Sequence, residues 1–193
     1  MSDPASTRPD AGPDPRARLA ELEGGTDTAT ALAFFDGLPA VAIDEMAGAW
    51  RGGGLPTGHR FDGMLERFGW HGKRFGGADD GHPLVFDRPG GGTVELHPMF
   101  LPFGLVARYP RLLGHAAFAG LFKRLTPLLR VRSPRSRLRL VEHRGVVSAA
   151  MLYDDLPICD VFRRVDADTL LGLMDARGMR KPFFFVLRRE PPP

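Results

Sequence analysis

The sequence predicts a mainly β chain with helical additions: an antiparallel barrel, closed or nearly so, covered by a helical segment. Three observations carry this. From Arg137 to Arg188 five runs, each about six to eight residues long, are separated by turn signals, as in an up-and-down meander. A lone indole sits among glycines at Gly48-Ala49-Trp50-Arg51-Gly52, which reads as one bulky plug where backbone must approach backbone closely. A meander with a free edge invites aggregation, and pairing its last strand with the Gly-Trp strand removes that edge.

At 193 residues with 43% hydrophobic content, the chain can bury a sizeable core, and its length favours one domain with an appended tail. Residues 1–26 are rich in Pro, Asp, Ala and Arg and poor in large apolar groups, so a disordered tail is expected there, with a short helix over Ala17–Leu22 as its one ordered candidate. Truncating it should leave the fold intact. Residues 27–193 then form a single barrel domain, divided into a Gly-Trp part (27–96), a basic amphipathic helical segment (97–133) and the meander (134–190).

Within the first part, Thr28 can cap a helix that carries Leu32 and Phe35 and ends at Gly37 and Pro39. A helical turn over Ala42–Met46 leads into the Gly-Trp strand. The run Gly52-Gly53-Gly54 and the turn Pro56-Thr57-Gly58 follow it, ending at His59. Arg60–Phe68 reads as a short helix with Phe61, Met64, Leu65 and Phe68 on one side, stopped by Gly69. Short strands are expected around Trp70–Phe75, Pro83–Phe86 and Thr93–Leu96. A helical stretch over His115–Arg130 carries Phe118, Leu121, Phe122, Leu125, Leu128 and Leu129, with Lys123 and Arg124 on another face and Pro127 limiting it. The meander strands are Arg137–His143, Val146–Tyr153, Ile158–Val165, Thr169–Asp175 and Pro182–Arg188.

Charge is unevenly spread. The net charge is +3, yet nine basic and no acidic residues lie between Glu95 and Glu142, leaving the rest of the chain net acidic. The basic stretch over residues 108–139 interleaves Phe and Leu with Arg, which suits an anionic membrane surface or a lid over the barrel better than nucleic acid, for which no motif is present. No apolar run is long enough for a transmembrane helix, no signal peptide is visible, and Cys159 is the lone cysteine, so a reducing, cytoplasmic setting is expected.

Several chemistries find no support. Six histidines are scattered without HxH or HExxH spacing, so no metal site is expected. Ser133, Ser136 and Ser148 lack a nucleophile-elbow context, and the glycine run lacks the Lys-Ser/Thr of a phosphate loop.

Polar groups near the motif are the candidates for a site. Trp50 is expected as a structural plug, with ligand contact as the lesser role, and Arg51 should face the opposite side of the strand. His59, His71 and Lys73 could converge on a pocket and hold an anionic or carbonyl head group. Asp160 and Arg163 lie three apart on one strand and hence on opposite faces. If Asp160 points inward beside Ile158 and Phe162, it needs a partner, and an arginine is the expected one. Met151, Tyr153, Met174 and Phe185 are expected to line the interior, flexible and aromatic groups suited to an apolar guest.

These residues also resemble a known family. Gly48-Ala49-Trp50-Arg51-Gly52, Thr57-Gly58-His59 and Gly72-Lys73-Arg74-Phe75 look like the GXWXG domain. The run Ala150 to Ile158, with Asp160, Phe162-Arg163, Gly172 and Met174-Asp175, looks like its usual companion, domain of unknown function 4334. The resemblance implies architecture and no established activity. More distantly, the Gly-x-Trp opening is similar to that of lipocalins, fatty-acid-binding proteins and nitrobindins, which implies a calycin-like barrel around a small apolar ligand or haem. No cofactor is expected otherwise. A haem would look to His82 or His97, because the last histidine is His143 and the axial histidine of nitrobindins lies near the chain end.

The first functional expectation is therefore a barrel that binds a small hydrophobic molecule, a fatty acid or other lipid-like ligand. The alternatives are an enzyme with His59 or Lys73 in the pocket as acid, base or anion clamp, and a haem protein.

Overall fold

The computed structural model describes residues 14–88, 90–100, 120, 122–124 and 129–191. Nine strands form a single sheet: β1 (Gly48–Gly54), β2 (Trp70–Gly77), β3 (Asp80–Asp87), β4 (Thr93–Glu95), β5 (Ser136–His143), β6 (Val146–Tyr153), β7 (Ile158–Asp166), β8 (Thr169–Ala176) and β9 (Phe183–Arg189). Their order is β2-β1-β9-β8-β7-β6-β5-β3-β4, and a further β2–β3 pairing closes the ring. Eight antiparallel strands thus make a closed barrel, with β4 extending the far end of β3. The seam is the expected one: Trp50 to Gly54 pair with Arg189 to Phe185. Closure is tight everywhere except between β3 and β5, which meet only at Gly81 and Ser136.

The meander strands fall where the sequence places them, but β7, β8 and β9 are buried on both faces. Inward from β9 point Phe183, Phe185 and Leu187, and outward Phe184 and Val186, and all five are buried. The outward set is covered by two helices, α1 (Pro15–Glu23) and α2 (Thr28–Gly37). Leu19, Leu22, Ala31 and Phe35 from the helices pack with Val161, Leu171, Leu173, Phe184 and Val186 in a second core outside the barrel. Phe35 meets Phe184 edge-on with ring centroids 6.3 Å apart.

Residues 14–26 thus correct the expectation of a disordered tail. Asp14 caps α1 by accepting from Arg16 N, and Pro15 occupies the first turn, where its missing N–H costs nothing. Two leucines, Leu19 and Leu22, supply the burial that offsets the ordering of the segment. Ion pairs from Arg16 to Asp166 and from Arg188 to Glu23 tie its ends to the barrel. Residues 1–13 lie outside the described residues.

Two smaller corrections concern helix starts. The cap of α2 is Asp27, whose carboxylate accepts from Thr30 N at 2.8 Å, rather than Thr28. The helix expected from Arg60 begins later, as α3 (Met64–Phe68), because Gly63 adopts a left-handed φ of 69° and ends the preceding turn. The 3-10 turn Asp44–Met46 stands where a helical turn was expected.

Most of the helical stretch expected over His115–Arg130 lies outside the described residues, so its role as a cover is carried by few side chains here. Of these, Phe122 is buried edge-on against Phe68 and Phe86. No helix among the described residues is long and apolar enough to cross a membrane.

Candidate functional site

Two glycines shape the barrel's interior. A Cβ at Gly52 would overlap the Trp70 ring, and one at Gly172 would overlap the Phe185 ring. The absent side chains let these two aromatics lie flat across β1 and β8, where they meet edge-on with centroids 6.0 Å apart. A third glycine sets the register. Gly72 takes a φ of 153°, and its missing Cβ is where the Trp50 carbonyl passes. The β2–β3 ladder shifts there, between Trp70 and Gly72 and again between Gly72 and Arg74.

This bulge decides which side chains enter the barrel. Trp70 and Lys73, three residues apart, both point inward, which an uninterrupted strand forbids. His71 is turned outward instead. Its Nε2 meets the Glu190 carboxylate at 2.9 Å and its Nδ1 the Asp87 carboxylate at 2.7 Å. The expected convergence of His71 with Lys73 is therefore corrected. Arg51 faces solvent as expected, beside His71 and Asp87.

Lys73 and Asp160 form a fully enclosed ion pair. Nζ lies 2.8 Å from Asp160 Oδ2, and the two side chains are 3% and 1% exposed. The partner of Asp160 is thus this lysine and not an arginine, because Arg163 lies on the outer face. There its guanidinium stacks 4.8 Å from the Phe35 ring and donates to the His143 carbonyl. Around Lys73 Nζ stand the rings of Phe185, Tyr153 and Trp70, at 4.9, 5.6 and 5.7 Å from their centroids. Its other polar neighbours, the Pro83 carbonyl and Tyr153 hydroxyl, are looser at 3.4 and 3.5 Å.

Burial opposes charge on both members of this pair. It pushes the Asp160 carboxyl up, against the pull of Lys73, and pushes the Lys73 ammonium down, against the pull of Asp160. The Tyr153 hydroxyl is pushed well up by its burial and by the neighbouring Asp160 charge. In both groups burial works against the charged form and the partner's charge works for it, so the two titrate as one coupled pair.

The pair lines a cavity. Its walls are Trp70, Leu84, Tyr153, Met174, Phe183 and Phe185 from the strands, and Phe61, Met64 and Leu65 from the segment between β1 and β2. The free space is about 20 Å³, room for one or two waters. Two buried polar atoms of the lining have no hydrogen-bond partner among the described residues: Asp160 Oδ1 and Trp70 Nε1. One is an acceptor and the other a donor, and both are costly to leave unmet in an apolar enclosure.

Five of the expected site residues are brought together here: Lys73, Tyr153, Asp160, Met174 and Phe185. Trp50, His59 and Met151 are not among the lining. Trp50 is the plug: fully buried, it donates its indole N–H to the Met46 carbonyl at 2.8 Å, and the Arg189 guanidinium lies 4.2 Å from its ring. Met151 belongs to the packed core.

His59 packs edge-on against Phe61 and tilted against Phe183, and lines a separate surface cleft with Arg60, Met179, Arg180 and Lys181. Burial lowers its pKa, partly opposed by Asp62. His82 is held between Asp80 Oδ1 and Glu95 Oε2, both at 2.9 Å, and His97 lies near Asp155. Among the described residues no group of three or more His, Cys, Asp or Glu side chains could hold a metal ion.

Sequence reasoning missed Trp70 as a wall, although Gly52, two residues after Trp50, was its signal. It also missed Phe61, Met64 and Leu65 as part of the lining, having read them only as a helix face.

The comparisons with known proteins fit this architecture. The GXWXG protein model matches residues 33–91, and the domain of unknown function DUF4334 matches residues 134–189. A crystal structure of a protein from Thermomonospora curvata is 34% identical, with a TM-score of 0.69, over 92% of this chain and 99% of that one. No curated protein matches. With both motif blocks matched in order and a relative of that identity along nearly its whole length, this chain belongs to the GXWXG family and carries DUF4334 after the GXWXG block.

Proposed function

We propose that the barrel binds a small, largely apolar molecule carrying one neutral polar group, a hydroxyl or a carbonyl. The observation that carries this reading is the unmet pair Asp160 Oδ1 and Trp70 Nε1 inside an aromatic and methionine-lined cavity. An alcohol offers both a donor for the first and an acceptor for the second. A neutral group suits the site because Asp160 already balances Lys73, so an added carboxylate would carry an uncompensated charge into low dielectric. A free fatty acid is therefore the poorer lipid-like guest.

The free space of about 20 Å³ takes the polar end alone, so the apolar remainder needs side chains to move. Met64 and Met174 are the adaptable ones, since unbranched thioethers repack at small cost. Met64 and its neighbour Leu65 are half-buried in α3, so they have room to move outward.

The test is a titration of short linear alcohols, read by indole fluorescence and native mass spectrometry. Saturable one-to-one binding is expected, weakened at least about tenfold, or about 1.4 kcal/mol, by the cavity-filling Met64→Trp. Absence of saturation with every chain length, in protein that carries no bound ligand from the cell, contradicts the reading.

A further inference from the structure

Chemistry beyond holding a ligand is available at the same cavity. A primary amine enclosed by three aromatic rings, with a carboxyl group 2.8 Å away, is the constellation that forms and hydrolyses imines. We propose that Lys73 captures small aldehydes or ketones as a Schiff base within the barrel, with Asp160 carrying the proton. This rests on the reading of the cavity as a ligand site and names the ligand class as carbonyl compounds.

The steps balance without any other reactant. Asp160 takes one proton from the Lys73 ammonium across their hydrogen bond, leaving a neutral amine and a neutral carboxyl group. The amine lone pair attacks the carbonyl carbon, the C=O π pair moves to oxygen, and a proton passes from nitrogen to that oxygen, giving a carbinolamine. Asp160 returns its proton to the carbinolamine hydroxyl, the C–O bond breaks, and water leaves. What remains is an iminium cation facing an Asp160 carboxylate. The charges equal those at the start, so a site built to hold one enclosed cation and one enclosed anion holds product as well as reactant. No net charge need cross the apolar walls.

Two geometric features support the step, and burial adds to them. Lys73 reaches the cavity only through the bulge at Gly72, so the chain departs from regular strand geometry at the residue before it. The second carboxylate oxygen, Oδ1, is unpartnered among the described residues, in position to receive the departing hydroxyl's hydrogen bond. Burial also favours the neutral amine that the attack requires.

The chain supplies its own control. Its three lysines are Lys73, Lys123 and Lys181, and Lys181 is exposed. Full-length protein is incubated at neutral pH with propanal and cyanoborohydride, and modified lysines are located by peptide mapping. In parallel, 1-propanol binding is measured by native mass spectrometry. Lys73 should be propylated at least about tenfold faster than Lys181, because the adjacent Asp160 carboxyl acts as general acid and base in forming the imine. 1-Propanol should slow Lys73 and leave Lys181 unchanged. Lys73→Arg, which keeps the cation, should lose the protected adduct.

If 1-propanol binds and Lys73 stays unmodified while Lys181 reacts, the pair is a structural ion pair only, and the Schiff-base inference falls while the binding reading stands. If neither probe engages the cavity, both fall.

Discussion

Enclosing Lys73 with Asp160 costs the hydration of two charges, and one hydrogen bond of 2.8 Å with three ring faces offsets only part of that cost. Nothing in the arrangement makes it a better stabiliser than two apolar side chains of similar size. This gives a sharp expectation. Asp160→Leu should destabilise the protein by about 3–5 kcal/mol, because it leaves an enclosed lysine without its counter-charge. Lys73→Met should cost a similar amount. The double variant Lys73→Met/Asp160→Leu should return to within about 1 kcal/mol of the natural chain, yet lose alcohol binding. Urea denaturation of the four proteins measures this. A double variant as unstable as the two losses added together would show that the pair holds the fold rather than serving a ligand.

At the scale of elements, glycines decide where side chains go. Gly52→Ala sets a methyl group against the Trp70 ring, a packed aromatic with no free end to yield, and should cost about 1–3 kcal/mol. Gly72→Ala should cost more, since its obstacle is the Trp50 carbonyl and its φ of 153° disfavours any side chain. Gly53, between them in sequence, has open space around its Cβ position, so Gly53→Ala should shift stability by no more than about 0.5 kcal/mol. Equal melting temperatures for the Gly52 and Gly53 variants would contradict this account of the motif.

The same elements mark what the sequence could and could not show. Turn signals such as Arg144-Gly145 and Asp166-Ala167-Asp168 placed the meander strands, because turns demand particular residue types. The bulge was illegible. Counting by twos puts His71 and Lys73 on one face, and only the backbone path at Gly72 separates them. The choice of Lys73 over an arginine as the Asp160 partner was hidden for the same reason.

For the whole molecule, the pairing of β1 with β9 and of β2 with β3 leaves one cylinder with two cores, an inner one and an outer one under α1 and α2. The inner core was foreseen from the plug and the meander. The outer one was not foreseen, although the unbroken apolar run Phe183-Phe184-Phe185-Val186-Leu187, read only as a meander strand, carries the signal of a strand covered on both faces. The cover itself was not recognised, because Leu19 and Leu22 stand alone in a segment otherwise poor in apolar residues.

Trp50 is buried outside the cavity lining, and within that lining Lys73 and Asp160 set one ion pair among aromatic and aliphatic side chains. The most direct measurement is a crystal structure of the protein grown with a short-chain alcohol. The alcohol should lie among Trp70, Tyr153 and Phe185, with its hydroxyl oxygen about 2.7 Å from Asp160 Oδ1. Protein side chains alone filling that space, with Asp160 Oδ1 and Trp70 Nε1 each partnered by the chain itself, would contradict the account.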